Sequence, residues 1–189
     1  MRLVCALVLA LLALPANAAS VTLVLQFEDA YSPESVDAMK RELASIVADS
    51  GLHVDWRMLA DVQPAETFES LVVVRFRGAC LLRPDTSLMD ERGYYAFTHV
   101  SQDGVQPFSE VECDKVASSI RPELSKSQWR QPDSVLGRAL GRVLAHELYH
   151  MLAKSQHHAG EGVTRSSLTP GQLLSHRLKM NRADLKQLR

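Results

Sequence analysis

The sequence predicts an α+β fold in which a mixed β-sheet with one backing helix packs against a second, longer helix. Three observations carry that expectation. The stretch after residue 19 reads as strand, helix, strand; a valine-rich segment follows as a third strand; and the run "PDSVLGRALGRVLAHELYHMLAK" carries a wide apolar band at helical spacing.

"SVTLVLQFE" (20–28) alternates apolar and polar residues and is rich in β-branched types, which favour the pleated strand. "SPESVDAMKRELASIVADSG" (32–51) follows with Ser32 to cap, Pro33 preset for the first helical position and Gly51 to stop. Val36, Met39, Leu43, Ile46 and Val47 step by three and four and so share one helical face. "LHVDWRML" (52–59) returns as a second strand, and strands joined through a helix normally run parallel. "SLVVVRFRG" (70–78) is a third, its valine run suggesting burial on both faces.

Residues 79–132 change texture, with Pro84, Gly93, Gly104, Pro107, Pro122 and Pro132 dispersed through them. "GYYAFTHVS" (93–101) and "FSEVEC" (108–113) read there as exposed or antiparallel edge strands between loops. In the long helix Asp133 is the expected cap after Pro132, and Leu136, Leu140, Val143, Leu144, Leu148, Met151 and Leu152 form the apolar band. A short helical part from Thr169 and Pro170 ends the chain, its Arg177, Lys179, Arg182, Lys186 and Arg189 read as a solvated face.

"MRLVCALVLALLALPANAAS" places Arg2 before an apolar run and ends on Ala16-Asn17-Ala18, the layout of a secretory signal peptide cut after Ala18 or Ala19. Residues 1–19 are therefore expected to leave, and 20–189 to form one domain in a secreted or periplasmic location with no remaining membrane anchor. A net charge of −1 gives no electrostatic footing for nucleic acid or a membrane surface. Cys80 and Cys113 remain after cleavage, and in an oxidising compartment two such cysteines are expected to pair.

The chemistry concentrates in "AHELYHMLAKSQHHAGEG" (145–162). His146, Glu147 and His150 form an H-E-x-x-H motif on the long helix. Residues four apart on a helix differ by about 40° around the axis, so both imidazoles point one way, a turn apart. Two nitrogens placed so can share one Zn²⁺ at about 2.0–2.1 Å each. Glu147, one residue on, can reach a water at the metal and act as general base, then acid. A catalytic zinc needs a third protein ligand, and downstream the chain offers His157, His158, Glu161, His176 and Asp184.

With these residues the chain resembles the metzincin clan of zinc peptidases, within the broader zincin fold, whose extended motif is H-E-x-x-H-x-x-G-x-x-H. The match departs at two places: Ala153 stands at the glycine and Gln156 at the third histidine. The resemblance implies a zincin-like fold, one Zn²⁺ per chain and hydrolysis of peptide or protein substrates. It makes His157, one residue late, the first choice for third ligand, with His158 second and Glu161 third. It also implies a substrate-binding edge strand beside the active-site helix, for which Tyr94 and Tyr95 in "GYYAFTHVS" are the candidates. A secreted zinc-binding or interaction domain of the same fold without catalysis is the competing expectation, kept open by Ala153 and Gln156. Met180 reads as a core methionine, and His53 and His99 as surface or hydrogen-bonded residues.

Overall fold

The computed structural model describes residues 19–85 and 93–188; the expected signal segment, apart from Ala19, lies outside them. Five strands form one mixed sheet: β1 (Ser20–Phe27), β2 (His53–Met58), β3 (Leu71–Arg77), β4 (Ala96–Ser101) and β5 (Gly104–Glu112). Their order across the sheet is β2-β1-β3-β5-β4. Every junction is parallel except the last, where β4 runs antiparallel to β5 and so forms one edge. The helices are α1 (Pro33–Val47), α2 (Cys113–Ile120), α3 (Pro132–Ala153), α4 (Pro170–Leu174) and α5 (Arg182–Lys186).

The opening unit folds as its pattern requires. Ser32 Oγ accepts the Ser35 amide at the start of α1, and Gly51 takes the left-handed conformation (φ 76°) that ends the turn after it. The apolar face of α1 then buries Met39 and Leu43 against β1, β3 and α3 in one core that also holds Leu23, Leu25, Val74, Phe76, Val111, Leu140 and Leu144. α1 and α3 approach closely because Gly137 and Gly141 present no side chain at their crossing. A Cβ at Gly141 would sit 2.7 Å from the Met39 carbonyl, and one at Gly137 would meet the Ser35 carbonyl outright.

Several expectations need correction. β3 is not buried on both faces: Val72, Val74 and Phe76 are buried, while Arg75 and Arg77 alternate with them on the other face. On that face Arg75 and Arg77 pair with Glu28, Glu110 and Glu112. The segment 108–113 is not an edge; β5 lies inside the sheet between β3 and β4, because β4 takes the edge. Residues 113–120 are not loop but helix α2, whose Cys113, Val116, Ala117 and Ile120 turn one buried face to the core. α3 also begins a residue early, at Pro132, leaving Asp133 in its first turn, where a negative charge suits the helix N-terminus.

The C-terminal part is two short helices rather than one. Thr169 and Gln172 form a reciprocal capping box at α4, and Asn181 caps α5 through the Asp184 amide. The first of them, α4, is clamped to α3 by arginines. Arg142, fully buried, pairs with Glu42 of α1 at 2.6 Å and donates to the Gln172 and Leu173 carbonyls. Arg138 donates to the Leu174 and Ser175 carbonyls at 3.2 Å. Such carbonyls at the end of a short helix have few partners within it, and the arginines supply further donors. Met180 is buried, as a core methionine should be. Among the described residues no helix is long and apolar enough to cross a membrane.

Candidate functional site

α3 carries the first half of the site. His146 and His150, one turn apart, face the same way with ring centroids 4.7 Å apart. Each ring is held by a backbone carbonyl: His146 Nδ1 lies 2.9 Å from Val163 O, and His150 Nδ1 lies 2.6 Å from Ser155 O. A carbonyl oxygen can only accept, so each Nδ1 carries the hydrogen and donates it. The neutral ring then has its lone pair on Nε2. Those two Nε2 atoms lie 3.0 Å apart.

Two facing lone pairs at that distance repel unless a proton or a cation lies between them. A proton is disfavoured. Burial pushes the pKa of both imidazoles below the ordinary histidine value, outweighing the carbonyl bonds that raise it, and neighbouring His158 lowers both further. A divalent cation suits the pair: two nitrogens at about 2.0–2.1 Å from a tetrahedral centre are themselves roughly 3.3 Å apart.

The second half of the site comes from the loop after α3. The helix runs through Ala153, and Lys154 takes the left-handed turn (φ 50°) that the metzincin pattern assigns to a glycine one residue earlier. From that later turn the chain brings His158 to the pair, with ring centroids 5.2 Å from His146 and 4.8 Å from His150. Ligand atoms of His146, His150 and His158 all lie within 4.8 Å of one another. The structure thus brings His158, the second choice, to the pair rather than His157. His157, the first choice, is exposed and outside this group, its backbone amide donating to Ser155 Oγ. Glu161 is exposed and also outside it. The turn comes one residue late and the loop holds one residue more than the pattern, so the third histidine shifts by two.

Glu147 is buried and anchored to the sheet. Its Oε2 accepts from Thr98 Oγ1 of β4 at 2.6 Å and from Ser109 Oγ of β5 at 3.4 Å, while Oε1 accepts no hydrogen bond from the described residues. Burial raises its pKa above the usual carboxylate value; the Thr98 bond, His150 and Ser109 act against that rise without cancelling it. Nothing in the helical motif announces Thr98 or Ser109, which reach Glu147 only because β4 and β5 lie beneath α3.

No protein-family model matches this chain, and no curated protein matches its sequence. The site thus stands on its own geometry.

That geometry includes a cavity of about 560 Å³ over the histidines, within the range usual for small-molecule and peptide sites. Tyr94, Tyr95, Ala96, Thr98, Val100 and Val105 line it from the β4 side, and Val143 and Leu168 from the helical side. Apart from Glu147 and the histidines, the only ionisable side chains in the lining among the described residues are the two tyrosines. Tyr94 and Tyr95 lie just ahead of β4 rather than within it. Tyr94 is 77% exposed, whereas the Tyr95 hydroxyl bonds Ser119 and its carbonyl accepts the Glu112 amide. Cys80 and Cys113 form the disulfide, tying the segment after β3 to the start of α2. His99 faces Glu110 at 3.6 Å on the sheet's open face, away from the cluster.

Proposed function

We propose that this chain is a secreted or periplasmic zinc metallopeptidase of zincin-like architecture, holding one Zn²⁺ through His146, His150 and His158. The observation that carries the reading is the pair of carbonyl-fixed imidazoles whose Nε2 lone pairs converge at 3.0 Å, with a third histidine beside them. Bound there, Zn²⁺ supplies Lewis acidity toward a substrate carbonyl and lowers the pKa of water at the site.

The chain's own residues supply the remainder. Glu147 takes a proton from the attacking water and returns it to the leaving amine, and its free Oε1 is the oxygen available for both transfers. Thr98 and Ser109 fix the other oxygen, so the carboxylate is held in place before substrate arrives. Its raised pKa suits a group that must both accept and donate near neutrality. β4, at the edge of the sheet among the described residues and beside the cavity, can receive an extended peptide by strand addition. The disulfide fits an oxidising compartment.

Glu147→Gln is the test. It keeps the metal ligands and nearly the same size, so zinc content should persist while digestion of a peptide library, read by mass spectrometry, falls by about 10²–10⁴-fold. Equal cleavage by wild type and variant would overturn the mechanism. A wild type that retains zinc and cuts nothing would establish the non-catalytic metal-binding domain instead.

A further inference from the structure

The loop that carries His158 is pinned from the far end of the chain. Val163, whose carbonyl holds His146 Nδ1, donates its own amide to Lys179 O at 2.9 Å. The next residue, Thr164, is fully buried; its hydroxyl donates to Asp184 Oδ2, and its carbonyl accepts the Ala159 amide at 2.9 Å. Asp184 is buried too, and is itself fixed by Asn181, whose side-chain amide donates to Oδ2 at 2.7 Å and whose Oδ1 accepts the Asp184 amide at 2.9 Å.

The carbonyl that orients His146 belongs to the peptide group joining Val163 to Thr164. That group is planar, and hydrogen bonds at the Val163 amide on one side and at the Thr164 hydroxyl and carbonyl on the other restrict the backbone rotations that would swing the Val163 oxygen. We propose that Thr164 and Asp184 are positioning residues for His146: a relay from the cap of α5 through the Thr164 hydroxyl to the Val163 carbonyl sets the imidazole's tautomer and aims its Nε2 at the cluster. A buried carboxylate accepting two charge-assisted hydrogen bonds is a strong anchor for such a relay. The relay gives α5, remote in sequence from the H-E-x-x-H helix, a defined task in the site. Ligand-orienting partners of this kind commonly change metal affinity by 10–100-fold when lost.

This inference rests on the metal-site reading, and its test separates the two. Thr164→Val removes the hydroxyl at nearly constant volume, Thr164→Ser keeps it, and Asp184→Asn weakens the acceptor from the other side. Two quantities are measured on the full mature chain: Zn²⁺ affinity by competition with a chelator, and the ¹⁵N signals of His146 in metal-free protein. Thr164→Val should lower affinity by about 10–100-fold and convert His146 from a single Nδ1–H tautomer to a mixture. Thr164→Ser should restore both, and Asp184→Asn should shift both in the same direction by less. Folded Thr164→Val and Asp184→Asn proteins with an unchanged His146 tautomer would overturn the relay. If Thr164→Val does not fold, the Asp184→Asn tautomer alone decides. A wild type that binds no Zn²⁺ while its His146 tautomer still responds would sink the metal reading and leave the relay standing.

Discussion

His146 and His150 sit on a helix that is part of the core, whereas His158 sits on an exposed loop that owes its course to residues far along the chain. All of the last eleven residues of α3 are at least partly buried around apolar contacts, and Leu144, Leu148 and Met151 interleave with the site residues and lock their facing. The loop from 155 to 165 has little apolar burial before Val163. It is held instead by hydrogen bonds: Ser155 and Val163 carbonyls to the two helix histidines, the Ala159 amide to Thr164, and the Thr164 hydroxyl to Asp184. One half of the site is therefore preorganised by packing and the other by polar anchors, so the two should fail differently.

The largest expected difference lies within the loop itself. His158→Ala should cost most of the zinc affinity, because a three-imidazole set becomes two, while His157→Ala should leave it unchanged. Chelator competition on both variants checks this; a loss on His157→Ala instead would restore the order that motif spacing alone suggests.

Next in size is the arginine clamp between α3 and α4. Arg142→Met fills similar volume but leaves the Glu42 carboxylate and the Leu173 carbonyl without their Arg142 donor, while Gln172 O keeps only its bonds from Ser175. Breaking a buried pair in this way typically costs about 3–5 kcal/mol, and the partial exposure of Glu42 places this case toward the lower figure. Denaturant unfolding gives the total. Hydrogen exchange sharpens the comparison, since protection of the 155–165 loop should fall before that of α3. Equal loss in both would mean that the loop does not depend on the tail.

The helix–loop contrast also explains what was legible in the sequence. His146, Glu147 and His150 could be placed together because helix geometry converts a spacing of four into a shared face. The α1 cap, the parallel β1–β2 pairing and the core face of α3 were legible for the same local reason. His158 was not, because its position depends on where the helix turns, and Lys154 rather than a glycine makes that turn. The interior place of β5 was hidden because sheet order is decided by long-range pairing, while Pro107 in its sequence suggests an edge. Helix α2 had its signal, Cys113, Val116, Ala117 and Ile120 at three-four spacing, but its capping position, Glu112, makes no side-chain cap and proline-bearing loop follows it. Thr98 and Ser109 as partners of Glu147 needed the sheet and helix docked together.

A smaller effect concerns pH. The folded pKa values of His146 and His150 lie below the ordinary histidine value of about 6.5. The unfolded chain therefore binds protons there before the folded chain does, and metal-free protein should lose stability as pH falls below about 6.5, with that contribution fully present above it. Zinc should shield the pair, since a bound cation competes with protons for the same Nε2 atoms. Thermal unfolding with and without zinc across this range checks the sign; metal-free stability that rises as pH falls through the window would contradict the buried, neutral imidazoles described above.

The most direct test of the central claim is the coordination of metal by the purified mature chain. Elemental analysis after zinc is supplied at neutral pH, joined to X-ray absorption at the zinc edge, should give about one zinc per chain with three imidazole nitrogens at about 2.0–2.1 Å, and one imidazole fewer in His158→Ala. No stoichiometric zinc, or a wild-type shell with only two imidazoles, would contradict it.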